Sequence, residues 1–327
     1  MTGPPDEFDW IDRIRGLTLD DPRALGLRDD AAVLPARQGF DLVISVDAMV
    51  EGVHFLPGEH PGTIARRLLR TSLSDLAAKA ARPFGYFLTT AWPADRPWAY
   101  RDAFIEGLNE DGVLFGVALL GGDTVATPGP LTLSATVLGW AEAGRSVLRN
   151  GARADDLVVV CGAIGDGWLG LLAAKGAISD PSDELASHYR TPKPLLTLRN
   201  ALLAHAHAAI DVSDGFLADL THLAKASGCV ARVRLEELPL SLAAAAWCAA
   251  QENEQAARLS LATGGDDYAL ICAVPPAAFD AFRLACLESG TPVVALGAFS
   301  TPKADGKWVE ASFRGGPVED VQGGWRH

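Results

Sequence analysis

The sequence predicts a two-domain α+β protein, and three observations carry the prediction. The 327 residues exceed what one hydrophobic core usually organises, so two domains of roughly 150 residues each are expected. Strand-type apolar runs interleave with helix-period segments along the whole chain. The polar, turn-forming stretch Asn150-Gly-Ala-Arg-Ala-Asp-Asp156 interrupts that pattern near the middle, and a fresh strand follows it, so the domains are expected at residues 1–148 and 149–327.

In the first half, Phe8–Ile14 is a short amphipathic segment leading through a turn-rich arm to Asp29-Asp30. Ala31–Leu34 reads as a short strand, and Asp41–Asp47 as a β-rich run that leaves Asp47 at a strand end. Residues Pro61–Ala81 have Pro in the first turn and apolar residues at three- and four-residue steps, which predicts a helix. Ser72, Asp75 and Lys79 share another face of it. Strands are expected over Phe84–Ala91, Gly116–Leu120 and Leu131–Trp140, with a helix over Trp98–Leu114 and Asp123 in a loop after its strand.

The second half opens on the apolar strand Leu157–Gly162, then Gly165-Asp-Gly167 and a helix over Trp168–Ala174. That glycine turn has the look of a phosphate-binding turn, but it lacks both the Gly-Lys-Ser/Thr of a P-loop and the dinucleotide fingerprint. Further helices are expected over Leu195–His205, Phe216–Ala226 with Ser213 as cap, Leu242–Ala250 and Pro276–Ser289. Strands are expected over Ala208–Val212, Val230–Leu235, Tyr268–Val274 and Pro292–Phe299, and the tail reads as irregular.

With 28 basic against 41 acidic residues, the net charge of -13 argues against nucleic acid or an acidic membrane as partner. No apolar run approaches the ~20 residues of a membrane span, and the first residues lack a signal-peptide pattern, so a cytoplasmic address is expected. The five cysteines are widely spaced, with no close pair of metal-binding type, and read as buried free thiols.

The chemistry-bearing feature is a set of aspartates at the ends of or beside apolar segments: Asp29, Asp30, Asp47, Asp75, Asp123, Asp211 and Asp214. Carboxylates gathered without Arg or Lys partners repel one another, and hard cations relieve the repulsion. Oxygen ligands without a matching His or Cys set select Mg²⁺ or Mn²⁺ over Zn²⁺. Several such ions suit a polyphosphate and in-line phosphoryl transfer. His54, beside Phe55 in a glycine-containing loop, reads by itself as a partly buried side chain.

Six segments in order carry a resemblance: Asp29-Asp-Ala-Ala-Val33, Ser45-Val-Asp-Ala-Met-Val-Glu-Gly-Val-His-Phe55, Ser72-Leu-Ser-Asp-Leu-Ala-Ala78, Gly121-Gly-Asp-Thr124, Ile210-Asp-Val-Ser-Asp-Gly215 and Thr263-Gly-Gly-Asp-Asp-Tyr268. The sequence resembles the thiamine-monophosphate kinases. The resemblance implies the fold of aminoimidazole ribonucleotide synthetase, with amino-terminal domains paired in a dimeric β-barrel and a carboxyl-terminal α/β domain. It also implies ATP, several Mg²⁺ ions, and thiamine monophosphate as acceptor, in a homodimer. Position by position it assigns Asp30, Ser45, Asp47, Asp75, Asp123, Asp211 and Asp214 to metal, with Asp29 as helper. Gly122, Asp123, Arg149 and Ser213 match nucleotide contacts, and His54, Asp266 and Trp325 match substrate contacts. The implied mechanism is direct transfer assisted by metal charge through Asp30, Asp75, Asp123 and Asp214, with no general base.

Arg28, Ser72, Ala80, Leu195 and Ala269 depart from the family pattern, while the metal aspartates are kept. The chain lacks the amino-terminal Cys of selenophosphate synthetases and the Cys-bearing tail of the hydrogenase-maturation relatives. The competing expectations are a catalytically weakened paralogue that senses nucleotide or thiamine phosphates, and another ATP-dependent member of the superfamily.

Overall fold

A computed structural model describes residues 7–302 and 306–319. They fall into two units, one of the residues up to Leu76 with Ala81–Gly144, the other of Ala77–Ala80 with the residues from Arg145 onward.

The first unit is built on a four-stranded sheet. Helix α1 (Glu7–Ile14) precedes two short 3-10 turns and strand β1 (Phe40–Val50). Helix α2 (Pro61–Ala78), β2 (Arg82–Pro93), α3 (Trp98–Phe115), β3 (Ala118–Thr127) and β4 (Thr132–Glu142) follow. The strand order is β1-β4-β2-β3, antiparallel except for the parallel β2–β3 pair. Period-2 alternation in β1 puts Val43, Ser45, Asp47 and Met49 on one face and leaves Leu42, Ile44 and Val46 exposed on the other. Helices α2 and α3 are joined by a buried pair in which Arg70 donates to both Asp111 oxygens, at 2.6 and 2.9 Å.

The second unit carries β5 (Leu157–Cys161), α4 (Asp166–Ala174), α5 (Glu184–Arg190), α6 (Arg199–His205), β6 (Ala208–Asp211), α7 (Phe216–Ser227), β7 (Val230–Arg234), α8 (Leu242–Ala249), α9 (Glu254–Gly264), β8 (Leu270–Val274), α10 (Phe279–Glu288), β9 (Val293–Ser300), β10 (Val309–Phe313) and β11 (Gly316–Pro317). Its seven-stranded mixed sheet runs β11-β10-β7-β9-β5-β8-β6. Both faces are covered: Val158 and Val160 of β5 pack in the core under α4, α5 and α7, and Val159 and Cys161 in the core under α6 and α10. Burial on both faces explains why β5 and β8 read as unbroken apolar runs. All five cysteines are free and buried.

Several local expectations are corrected. Ala31–Leu34 is not a strand; it pairs with no sheet, and Val33 N–H bonds instead to the Arg23 carbonyl. Asp47 stands inside β1, because pairing with β4 continues to Val50 and Thr132. Asp123 is likewise within β3, opposite Thr89, and not in a loop. Ser213 does not cap α7: the N-cap is Gly215, without a side-chain bond. Helices α5 and α9 and strand β10 replace stretches read as loop or left unassigned, Gly316–Pro317 at the start of the tail pairs with β10 as β11, and residues 320–327 of the tail lie outside the described residues.

Candidate active site

The inner face of β1 meets α2 at a small cluster of oxygen groups. The Ser45 hydroxyl donates to Asp75, and Ser72, whose hydroxyl donates to the Leu68 carbonyl at 2.9 Å, lies beside Asp47 and favours its ionised form. Burial, and then the negative charge of Asp75, push the Asp47 carboxyl up from its ordinary 3.8 to about 6. Such a carboxylate pair is short of positive charge, and its donors are all oxygen.

A second group lines a cavity of about 430 Å³ in the same unit. Its floor is apolar, with Trp10, Ile14, Phe87 and Leu120, while Asp29, Asp30 and the Gly121–Thr124 segment supply the polar wall. Asp29 accepts from the Asp30 backbone N–H at 2.8 Å, which turns the loop so that both side chains are exposed. A β-bulge between Tyr86 and Phe87 shifts the register, so that Leu119 and Leu120 are both buried before the glycines begin. Gly122 has a structural reason: a Cβ there would lie 1.9 Å from the Leu88 carbonyl oxygen. The sheet does not bring Asp123 to the Asp47–Asp75 pair. Asp47, Ala135, Leu88 and Gly122 form one row across β1, β4, β2 and β3, and three strand spacings amount to roughly 14 Å.

His54 sits in a loop tied at several points. Its Nδ1 accepts from the Val50 N–H at 3.1 Å, so a neutral ring carries its proton on Nε2, and its carbonyl accepts from Arg67 Nε at 3.2 Å. Glu51 anchors the start of the loop through Arg96, at 2.7 and 2.8 Å, and through the Leu131 N–H. Glu51 lies within the Ser45–Phe55 segment, but its pairing with Arg96 was not legible, since a 45-residue separation carries no periodic signal.

In the second unit three loops interlock. Asp211 ends β6, Ser213 and Asp214 follow it, and Asp219 from the first turn of α7 folds back over this turn. Its Oδ2 accepts the backbone N–H groups of Ser213 and Asp214 at 3.0 Å and of Gly215 at 3.2 Å. Burial, reinforced by the charges of Asp211 and Asp214, pushes the Asp219 carboxyl up to about 8. The Thr263–Tyr268 loop lies against this one, with Asp266 N–H donating to the Ser213 carbonyl at 2.8 Å. Gly265 at φ +76° admits no Cβ, which would fall 2.6 Å from the Ser213 oxygen. Asp266 and Tyr268 themselves adopt left-handed backbone, at φ +67° and +53°, a conformation that costs energy outside glycine. Asp267, fully buried, accepts from Gly165 N–H and Gly167 N–H at 2.9 Å, and burial drives its carboxyl well above the usual range.

Asp219 and Asp267 were missed in the sequence. The available signal was an acidic residue in the first turn of a helix for one and a doubled Asp for the other. Arg149 is exposed, and its carbonyl accepts from the Ser227 hydroxyl. Trp325 lies outside the described residues.

Among the described residues no three His, Cys, Asp or Glu side chains close into a metal cage. The carboxylates stand in open groups instead, as suits Mg²⁺, which keeps several waters and is commonly held by one or two carboxylates plus substrate phosphates.

A four-stranded sheet unit and a seven-stranded α/β unit, each bearing a group of aspartates, match the class of AIR synthase related proteins. The family model for the AIR synthase related protein N-terminal domain matches residues 28–141, and that for the C-terminal domain matches residues 153–303. The thiamine-monophosphate kinase of Caulobacter vibrioides is 54% identical over 325 residues, 99% of this chain and 91% of the relative. That of Escherichia coli K12 is 36% identical, over 88% and 87% of the two chains. Among solved structures, the thiamine-monophosphate kinase of Stenotrophomonas maltophilia superposes with a TM-score of 0.83 at 34% identity, covering 95% of this chain and 98% of that one. AaThiL complexed with AMPPCP and TMP superposes at 0.76 with 26% identity, over 98% and 96%. The chain belongs to the thiamine-monophosphate kinase family.

Proposed function

We propose that this protein transfers the γ-phosphoryl group of ATP to thiamine monophosphate, giving thiamine diphosphate. The observation that carries the reading is the charge-deficient Asp47–Asp75 pair, held on rigid elements together with the Ser45 and Ser72 hydroxyls. A family relative complexed with AMPPCP and TMP supports both substrates.

Asp47 and Asp75 with Ser45 would hold Mg²⁺ in the first unit, as would Asp30 with Asp29 at the cavity wall and Asp123 on β3. Asp211 and Asp214 would do so in the second unit. When bound, these ions neutralise phosphate charge and polarise the γ-phosphorus. The chain's own residues supply positioning: β1 and α2 hold one carboxylate pair, the β3 backbone at Gly122 and the Ser213 and Arg149 side chains contact nucleotide, and the tied His54 loop and Asp266 meet the acceptor. The attacking phosphate oxygen is already anionic near neutral pH, so no side chain need remove a proton, and orientation accounts for the protein's share.

The test is turnover by purified protein with ATP, Mg²⁺ and thiamine monophosphate, read as thiamine diphosphate formed. Asp123→Asn is expected to keep the fold and lower kcat about a hundredfold. Binding of both substrates without product would instead identify a sensor.

The working form is a homodimer in this reading. Leu42, Ile44 and Val46 of the edge strand β1 are 39, 55 and 61% exposed in a row. A long apolar edge of this kind invites pairing with a second copy. Ile44→Glu is expected to shift the mass in light scattering from dimer to monomer, and an unchanged mass would exclude this face.

A further inference from the structure

The second unit has two glycine-containing turns after strands, residues 165–167, which look like a phosphate site in the sequence, and residues 213–215, and in the structure both are already filled by carboxyl groups of the chain itself. Asp267 takes the N–H groups of Gly165 and Gly167, and Asp219 takes those of Ser213, Asp214 and Gly215. Three successive N–H groups converging on one oxygen form an anion-binding nest. An occupied nest has no donors left for a phosphate.

We propose that Asp219 is a positioning residue for the reaction: its carboxyl group fills the 213–215 nest and so fixes the turn that follows Asp211, with Asp211 and Asp214 as cation ligands and Ser213 as a side-chain contact. The proposal rests on the kinase reading for what those residues meet, but its geometry stands without it. Asp219 is 4% exposed and contributes through backbone it holds, not by touching substrate. From the first turn of α7 it reaches back to the N-cap amide of Gly215 and the two amides before it.

The first experiment is amide hydrogen exchange on the metal-free wild-type protein. The amides of residues 213–215 are expected to be protected without any ligand, and to stay so when Mg²⁺ and a nonhydrolysable ATP analogue are added. Exchange at unprotected rates in the free protein, or protection gained only on adding nucleotide, would overturn the proposal. The second experiment is calorimetric titration of variants with the same Mg²⁺–analogue pair, alongside thermal midpoints in EDTA. Asp219→Ala is expected to weaken binding about ten- to a hundredfold, as loss of a group supporting a metal ligand does. Asp219→Asn, whose amide oxygen can accept the same three bonds, is expected to stay within about threefold. An Ala variant that binds like wild type, or an Asn variant as impaired as Ala, would refute the hydrogen-bond basis. Should the Ala variant fail to fold, the exchange measurement on wild type still decides. A wild-type protein that makes no thiamine diphosphate yet shows this protection and this ranking would overturn the kinase reading and uphold the positioning role.

Discussion

Asp47→Asn is expected to make the metal-free protein more stable and the enzyme nearly inactive. The Asp47 carboxyl has a folded-state value of about 6 against an ordinary 3.8, because burial and the Asp75 charge disfavour its ionised form. The folded state therefore binds this proton more tightly than the unfolded state. Its contribution to stability is fully present below about pH 4 and is lost as pH rises through about 6. The loss is at most about 3 kcal/mol at one pH unit per 1.36 kcal/mol. An Asn at this position has no such proton to lose, so in EDTA at pH 7 the variant is expected to exceed wild type by about 1–3 kcal/mol, with a flat profile across that window. Mg²⁺ should stabilise wild type by mass action more than it stabilises the variant, which keeps the other carboxylate groups. Removing one charged ligand should cost about a thousandfold in turnover, some 4 kcal/mol of transition-state stabilisation. Urea denaturation in EDTA from pH 4.5 to 7.5, paired with turnover at pH 7.5, reads both. A variant less stable than wild type at pH 7, or one fully active, would remove Asp47 from the metal site. Opposite signs for stability and activity mark a residue kept for function.

Gly122→Ala is expected to fail for a different reason. The added methyl would sit 1.9 Å from the Leu88 carbonyl oxygen, in backbone that cannot yield without parting β2 from β3. Overpacking of this kind costs about 3 kcal/mol or more. Nucleotide binding should fall with it, since β3 carries Asp123 and one wall of the cavity. Gly121→Ala is the control: its Cβ would meet the Phe87 ring at 3.2 Å, and a ring can turn. Thermal unfolding should put Gly122→Ala well below Gly121→Ala. Midpoints within about 2 °C of each other would mean that the close approach to Leu88 does not govern this strand, since 1 kcal/mol alone moves a domain by that much or more.

These two variants also separate what the sequence could and could not reveal. Leu157–Cys161 and Leu270–Val274 were legible as strands because burial on both faces writes an unbroken apolar run. Helix α2 was legible from Pro61 and its apolar spacing. Asp47 and Asp123 were recognised as chemical residues but set at strand ends or in loops, because a strand that continues through polar residues is held by its partner, here β4 for one and β2 for the other. Helix α9 escaped notice for the same sort of reason: its stripe of Ala257, Leu261 and Ala262 is thin, and packing in the core of the second unit sustains it.

By itself the sequence determined the two-part organisation, the acidic character of the chain, and the order of its aspartate segments, since composition, periodicity and motif are local or additive properties. Tertiary structure alone decided which carboxyl groups stay open and which hold backbone. Asp214 and Asp219 look alike in the sequence, five residues apart, but three N–H groups converge on Asp219 and bury it, while Asp214 stays on the loop that Asp219 holds. Hydrogen-bond convergence and desolvation depend on where the chain returns in space, and no spacing rule encodes that return.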